Sequence, residues 1–65
     1  MNTDVVNDFL IYTIEEYKYI ENKSASDVID IFTKNNLFDY IIRNYEALHT
    51  MGGKAIIDDL NSYEK

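Results

Sequence analysis

Val5, Val6, Phe9, Leu10, Thr13, Ile14, Tyr17 and Ile20 recur at spacings of three and four, the period of an α-helix with one broad apolar face. The pattern predicts a first helix over residues 4–22. Asn2 or Thr3 is expected to cap it, with Asp4 near the positive end of its dipole. Ser24-Ala-Ser-Asp27 has the form of a capping box and opens a second helix over residues 25–34. Ala25, Val28, Ile29 and Phe32 are its expected buried side. Asn35 and Asn36 tolerate a left-handed or capping backbone, and Asn36 is expected to cap the next helix with Asp39 in its first turn. Leu37, Phe38, Tyr40, Ile41, Ile42, Tyr45 and Leu48 then carry helical spacing across residues 37–50. Gly52 is expected in the left-handed conformation that ends helices. Ile56, Ile57, Leu60 and Tyr63 mark a last helix over residues 54–63, with fraying at Glu64 and Lys65.

Proline is absent and the only two glycines are adjacent, so caps and short polar joints are the only breaks. The fold expected is all-α, a compact bundle of four helices (about 4–22, 25–34, 37–50 and 54–63), the second and fourth short. It forms a single domain over residues 1–65. A chain of this length buries only about 60% of the surface of its unfolded form. A single core of this size rarely supplies more than about 3–5 kcal/mol, and with no cysteine there is no disulfide to add to it. One histidine leaves a zinc site dependent on carboxylates, which structural sites rarely use. Neither metal nor cofactor is expected.

Charge narrows the choice of partner. Twelve acidic residues against six basic ones give a formal charge of −6, the wrong sign for neutralising phosphates along a duplex. Residues 1–30 hold seven of the acids and two lysines, so the negative field belongs to the N-terminal half. No apolar run approaches a membrane span, and the first residues lack the features of a signal peptide. The expected setting is cytoplasmic, without nucleic acid or membrane.

At 100° per residue, Ile11, Tyr12 and Tyr19 fall opposite the apolar arc of the first helix, among Asp4, Asp8, Glu15, Lys18 and Asn22. Folding does not require an aromatic ridge there. Tyrosines give large contact area at little entropic cost, so Asp8, Ile11, Tyr12, Glu15 and Tyr19 are candidate partner-binding residues. The alternatives are ordinary scattered surface hydrophobics, or a ridge covered by the last helix.

His49 is the sixth candidate. It projects between Phe38 and Ile42 at the margin of the third helix's arc, where it is expected to border the core. It either finishes a helix end as a structural histidine or serves in binding or pH sensing. Catalysis has little support. Ser24, Ser26 and Ser62 are distant and suit caps, while Glu15-Glu16 and Asp58-Asp59 diverge by about 100° on a helix and are expected to be solvated. Gly52-Gly53 lacks the preceding strand and the G-x-x-x-x-G-K pattern of a phosphate loop. No enzyme is expected.

Ile14-Glu-Glu-Tyr17, Phe32, Leu37-Phe-Asp-Tyr-Ile41, Tyr45 with Leu48-His-Thr50, and Ile57-Asp-Asp-Leu60 together resemble a small bacterial family, domain-of-unknown-function family three-seven-nine-one. The resemblance runs from about Phe9 to Tyr63, and its most specific element is Tyr-x-x-Leu-His-Thr. It implies a helical protein, in some cases encoded beside a protein with an ADP-ribosyltransferase-like domain, an arrangement that suits a toxin and its antidote. It brings no catalytic residues. The expected function is a non-enzymatic acidic protein-binding module, an antitoxin or immunity-type inhibitor whose partner has a basic surface. Two alternatives stay open: an acidic mimic of nucleic acid in a basic groove, marked by steep salt dependence, and a homo-oligomeric module in which the apolar surface pairs with itself.

Overall fold

The computed structural model describes residues 3–64. Five helices follow one another: α1 (Thr3–Glu21), α2 (Ala25–Lys34), α3 (Leu37–Arg43), α4 (Tyr45–Leu48) and α5 (Gly53–Glu64). The described residues contain no strand. α1 has 19 residues, about 28 Å at 1.5 Å each, and so sets the long dimension of a body measuring 30 × 19 × 19 Å. The expected cap from Asn2 or the Thr3 side chain, and the expected fraying of Lys65, lie outside the described residues, whereas the backbone at Glu64 is still helical.

The joints show where local chemistry overrides the apolar rhythm. α1 ends in a Schellman turn: Asn22 takes a left-handed φ of 54°, and the Lys23 N–H returns to the Lys18 carbonyl at 3.0 Å. Ser24 caps α2 as expected, its hydroxyl accepting from the Asp27 N–H at 3.1 Å. Asn36 is left-handed at φ 58° and makes no side-chain cap, so its contribution to α3 is backbone geometry alone.

Asn44 divides the single helix expected over residues 37–50. Its side-chain amide donates to the Tyr40 carbonyl at 2.8 Å, a carbonyl that also receives the Asn44 backbone N–H at 3.0 Å. Such local bonds compete with helix propagation. The Asn44 carbonyl then restarts the chain by accepting from Ala47 and Leu48, and the bundle has five helices, four of them with seven or more residues.

Neither glycine has positive φ, which corrects the left-handed role expected of Gly52. The helix end needs none, because side chains satisfy its last carbonyls. Thr50 Oγ1 donates to Ala47 O at 2.9 Å, His49 Nδ1 lies 2.9 Å from Tyr45 O, and the Met51 N–H reaches Leu48 O. Gly53 instead lies beneath a side chain of α1. A Cβ there would meet the Glu16 side chain, with Cδ at 2.9 Å and Cγ at 3.2 Å. Glu16 therefore rests its carboxylate over the N-terminus of α5, where a helix dipole favours negative charge.

The core gathers Tyr17, Val28, Phe32, Leu37, Ile41, Leu48, Ile56, Ile57 and Leu60. Phe32 is fully buried and meets two rings edge-on, Tyr17 at 5.3 Å and Phe38 at 5.4 Å, a favoured aromatic geometry. Thr13 is also buried, its hydroxyl satisfied by the Phe9 carbonyl at 2.8 Å. α5 crosses the buried side of α1, from Gly53 against Glu16 to Asn61, which accepts from the Tyr17 hydroxyl at 3.1 Å and donates to Glu21 at 3.2 Å. Its 12 residues make it longer than α2 or α3. Val5, Ala25, Ile29, Ile42 and Tyr63, counted among the apolar stripes, are exposed. In α2 the buried arc is centred between Ile31 and Phe32, which leaves Ile29 outside.

Two of the paired carboxylates expected in solvent are half-buried, Glu16 beneath Gly53 and Asp59 beside Tyr40. The Tyr40 hydroxyl donates to Asp59 Oδ2 at 2.6 Å, and its ring stacks on Tyr63 at 4.1 Å, tying α3 to α5. The bond to Asp59, then burial and the Asp59 charge, push the Tyr40 phenol up to about 12. The folded state thus holds this proton more tightly than the unfolded one. Its stabilising contribution is complete below about pH 10 and lost as pH rises to about 12. Ultraviolet titration of the tyrosines, followed alongside helicity, is expected to show a late ionisation near pH 12 that Tyr40→Phe removes. A wild-type titration in which every tyrosine ionises with a midpoint near pH 10, with helicity intact, contradicts the bond.

The Glu16–Gly53 contact predicts coupling in a double-mutant cycle. Gly53→Ala is expected to cost roughly 0.5 kcal/mol or more beyond its cost in a Glu16→Ala background, measured by urea unfolding. Additive effects of the two substitutions contradict the contact.

Candidate functional site

The side of α1 turned away from the core carries the side chains singled out by the helical wheel. Asp8, Ile11, Tyr12, Glu15 and Tyr19 are all exposed, the three large ones at 60% for Ile11, 44% for Tyr12 and 85% for Tyr19. α5 packs on the opposite side and does not cover them. Residues seven apart share a row on a helix, so Val5, Tyr12 and Tyr19 form one row and Asp8 and Glu15 a neighbouring one. Ile11 lies beyond the acidic row with Lys18. The expected ridge is thus two apolar edges separated by carboxylates. Lys18 Nζ sits 3.3 Å from Glu15 Oε2 and partly neutralises it, whereas Asp8 has no ion pair among the described residues.

Tyr12 continues sideways into a set of rings that reaches His49. It stacks near Phe9 at 6.1 Å, Phe9 meets Tyr45 edge-on at 5.3 Å, and Tyr45 stacks on His49 at 4.7 Å with only 10° between ring planes. The Asn44 break starts the short α4 on which Tyr45 meets Phe9. Phe9 and Tyr45 are half-buried, while Tyr12 and His49 are exposed.

His49 therefore lies on the surface and not at the core margin between Phe38 and Ile42. Helix α4 stops at Leu48, and the stack on Tyr45 holds the imidazole outside. Its Nδ1 faces the Tyr45 carbonyl at 2.9 Å. A carbonyl only accepts, so Nδ1 carries the hydrogen and Nε2 is the nitrogen left to solvent or a partner. Thr50, beside it, is occupied as a helix cap.

Two of the six candidates, Tyr12 and His49, are brought into one surface through Phe9 and Tyr45. Tyr19 stands two helical turns further along α1, about 10 Å from Tyr12 in axial rise. Periodicity places Phe9 and Tyr45 in apolar stripes and does not show them as links. The available signals were the i,i+3 pairing of Phe9 with Tyr12 and the i,i+4 pairing of Tyr45 with His49. Glu46, exposed one helical turn before His49, was not singled out either.

Among the described residues no three histidine or carboxylate side chains cluster as metal ligands, and no helix is long and apolar enough to cross a membrane. Comparison with curated proteins and with solved structures returned no match. A family model covers nearly all of the sequence, from within α1 through every later helix, at residues 8–65. On that match the chain belongs to the family described as protein of unknown function (DUF3791).

Proposed function

We propose that this chain is a non-enzymatic, acidic protein-binding module acting in the cytoplasm, an antitoxin or immunity-type inhibitor that engages a toxin-like enzyme through a basic surface. The observation carrying this reading is the exposure of Ile11, Tyr12 and Tyr19 on a helix whose opposite face already supplies the core. The buried cluster is complete without them. Large side chains kept in water among carboxylates are the residue types that become hot spots when a partner removes the water.

The sign of the surface favours a basic partner over a second copy of the chain. An isologous dimer across this face sets the row containing Asp8 and Glu15 against its own equivalent. A basic groove instead gains from each carboxylate and is steered toward the face at long range.

Co-expression with the product of the adjacent gene tests this reading. Wild type is expected to capture that product, and Tyr12→Ala/Tyr19→Ala, at unchanged helicity, to weaken capture by about thirty-fold or more, the effect of losing about 2 kcal/mol at a hot spot. Full capture by the double variant would remove this face from the function.

A further inference from the structure

The rings joining Tyr12 to His49 carry more information than exposure alone. The Tyr45 and His49 rings are stacked with their planes parallel within 10°, so the exposed imidazole presents a flat face backed by a second ring. Two acidic side chains border the surface. Asp8 precedes Tyr12 by four residues on α1 and Glu46 precedes His49 by three, spacings at which helical side chains are neighbours. Both are exposed. Neither has a cation within ion-pair reach among the described residues, whereas Glu15, Asp39 and Asp58 are each matched by a lysine or arginine of their own helix. The ledge thus combines aromatic faces with unmatched carboxylates and no intramolecular counter-charge.

A planar cation satisfies both features at once. A guanidinium stacks on an aromatic face while its edge donates hydrogen bonds to a carboxylate; an ammonium is a compact, strongly hydrated charge that cannot do both in one plane. We infer that the ledge formed by Tyr12, Phe9, Tyr45 and His49 seats arginine side chains of the partner, with Asp8 and Glu46 as their counter-charges. The inference rests on the reading of the chain as a module for a basic protein and names the chemistry by which that protein is recognised. Arginine, not positive charge in general, is the recognised feature. His49 acts through its ring face and requires no change of protonation.

Two synthetic peptides of equal length and charge, Gly/Ser chains bearing four arginines or four lysines, test this against the full-length chain by two-dimensional NMR at low salt. The arginine peptide is expected to bind about five-fold tighter or more than the lysine peptide. It should also move the ring signals of Tyr12, Tyr45 and His49 ahead of that of Tyr19. Asp8→Asn/Glu46→Gln keeps the shape and should abolish binding of both peptides. His49→Ala, with helicity checked by circular dichroism, should remove the preference for arginine while leaving residual charge-driven binding. Equal affinity for the two peptides overturns the inference, as do shifts confined to the Tyr19 row or an arginine preference that survives His49→Ala. Absence of binding to either peptide also overturns it. Loss of the wider reading is recognised separately, by full capture of the adjacent gene's product with Tyr12→Ala/Tyr19→Ala.

Discussion

Burial of one face of α1 is the constraint on which the remaining structure depends. The helix is 19 residues long, and the rest of the chain supplies only enough apolar surface to cover one side of it. Val6, Thr13 and Tyr17 lie on that side, and Tyr17 brings α1 to Phe32 at the centre of the core. α5 crosses the same side, fixed at one end by Glu16 over Gly53 and near the other by Tyr17 and Glu21 on Asn61. α2, α3 and α5 pack on the inner side and α4 meets α1 through Tyr45 and Phe9, so no element covers the outer one. An outward face is thus inevitable. What geometry does not require is that it carry Ile11, Tyr12 and Tyr19.

The periodic parts of this arrangement were legible in the sequence. α2 begins and ends where Ser24 and Lys34 indicate, since a hydroxyl cap is a local feature, and the outward placement of Tyr12 and Tyr19 follows from counting 100° per residue. The unread parts turn on single polar atoms or on distant contacts. One side-chain amide at Asn44, bonded to Tyr40 O, splits a helix whose apolar rhythm continues without interruption. Asn22 takes a left-handed position while Gly52 does not, although the left-handed Asn36 is as its residue type suggests. Gly53 lies beneath Glu16, far away in sequence. Tyr40 and Asp59 meet only when α3 and α5 pack. Ile29 is exposed because the arc of α2 that becomes buried depends on where α1 and α3 lie, which periodicity does not encode.

The same distinction applies to the candidate surface. Its membership on α1 follows from the wheel, but its junction with His49 depends on Phe9 meeting Tyr45 across two helices. His49 and Thr50 both close the end of α4, the first through Nδ1 and the second through its hydroxyl. Finishing a helix and facing a partner are therefore compatible for His49, because the cap uses one edge of the ring and leaves its face and Nε2 outside. Thr50 is engaged through its hydroxyl and is a cap alone. Between Tyr45 and Gly53 a helix ends, the chain crosses to α5 and an aromatic surface is completed.

The central claim is that Ile11 and Tyr19, on the outer face of α1, contribute nothing to the fold. Equilibrium urea unfolding of Ile11→Ser/Tyr19→Ser tests it most directly, because both side chains are large enough to cost several kcal/mol if they were core. Stability within about 0.5 kcal/mol of wild type, with an unchanged denaturant slope, is the result this account predicts. A loss of about 2 kcal/mol or more would place these residues among those that hold the protein together and contradict it.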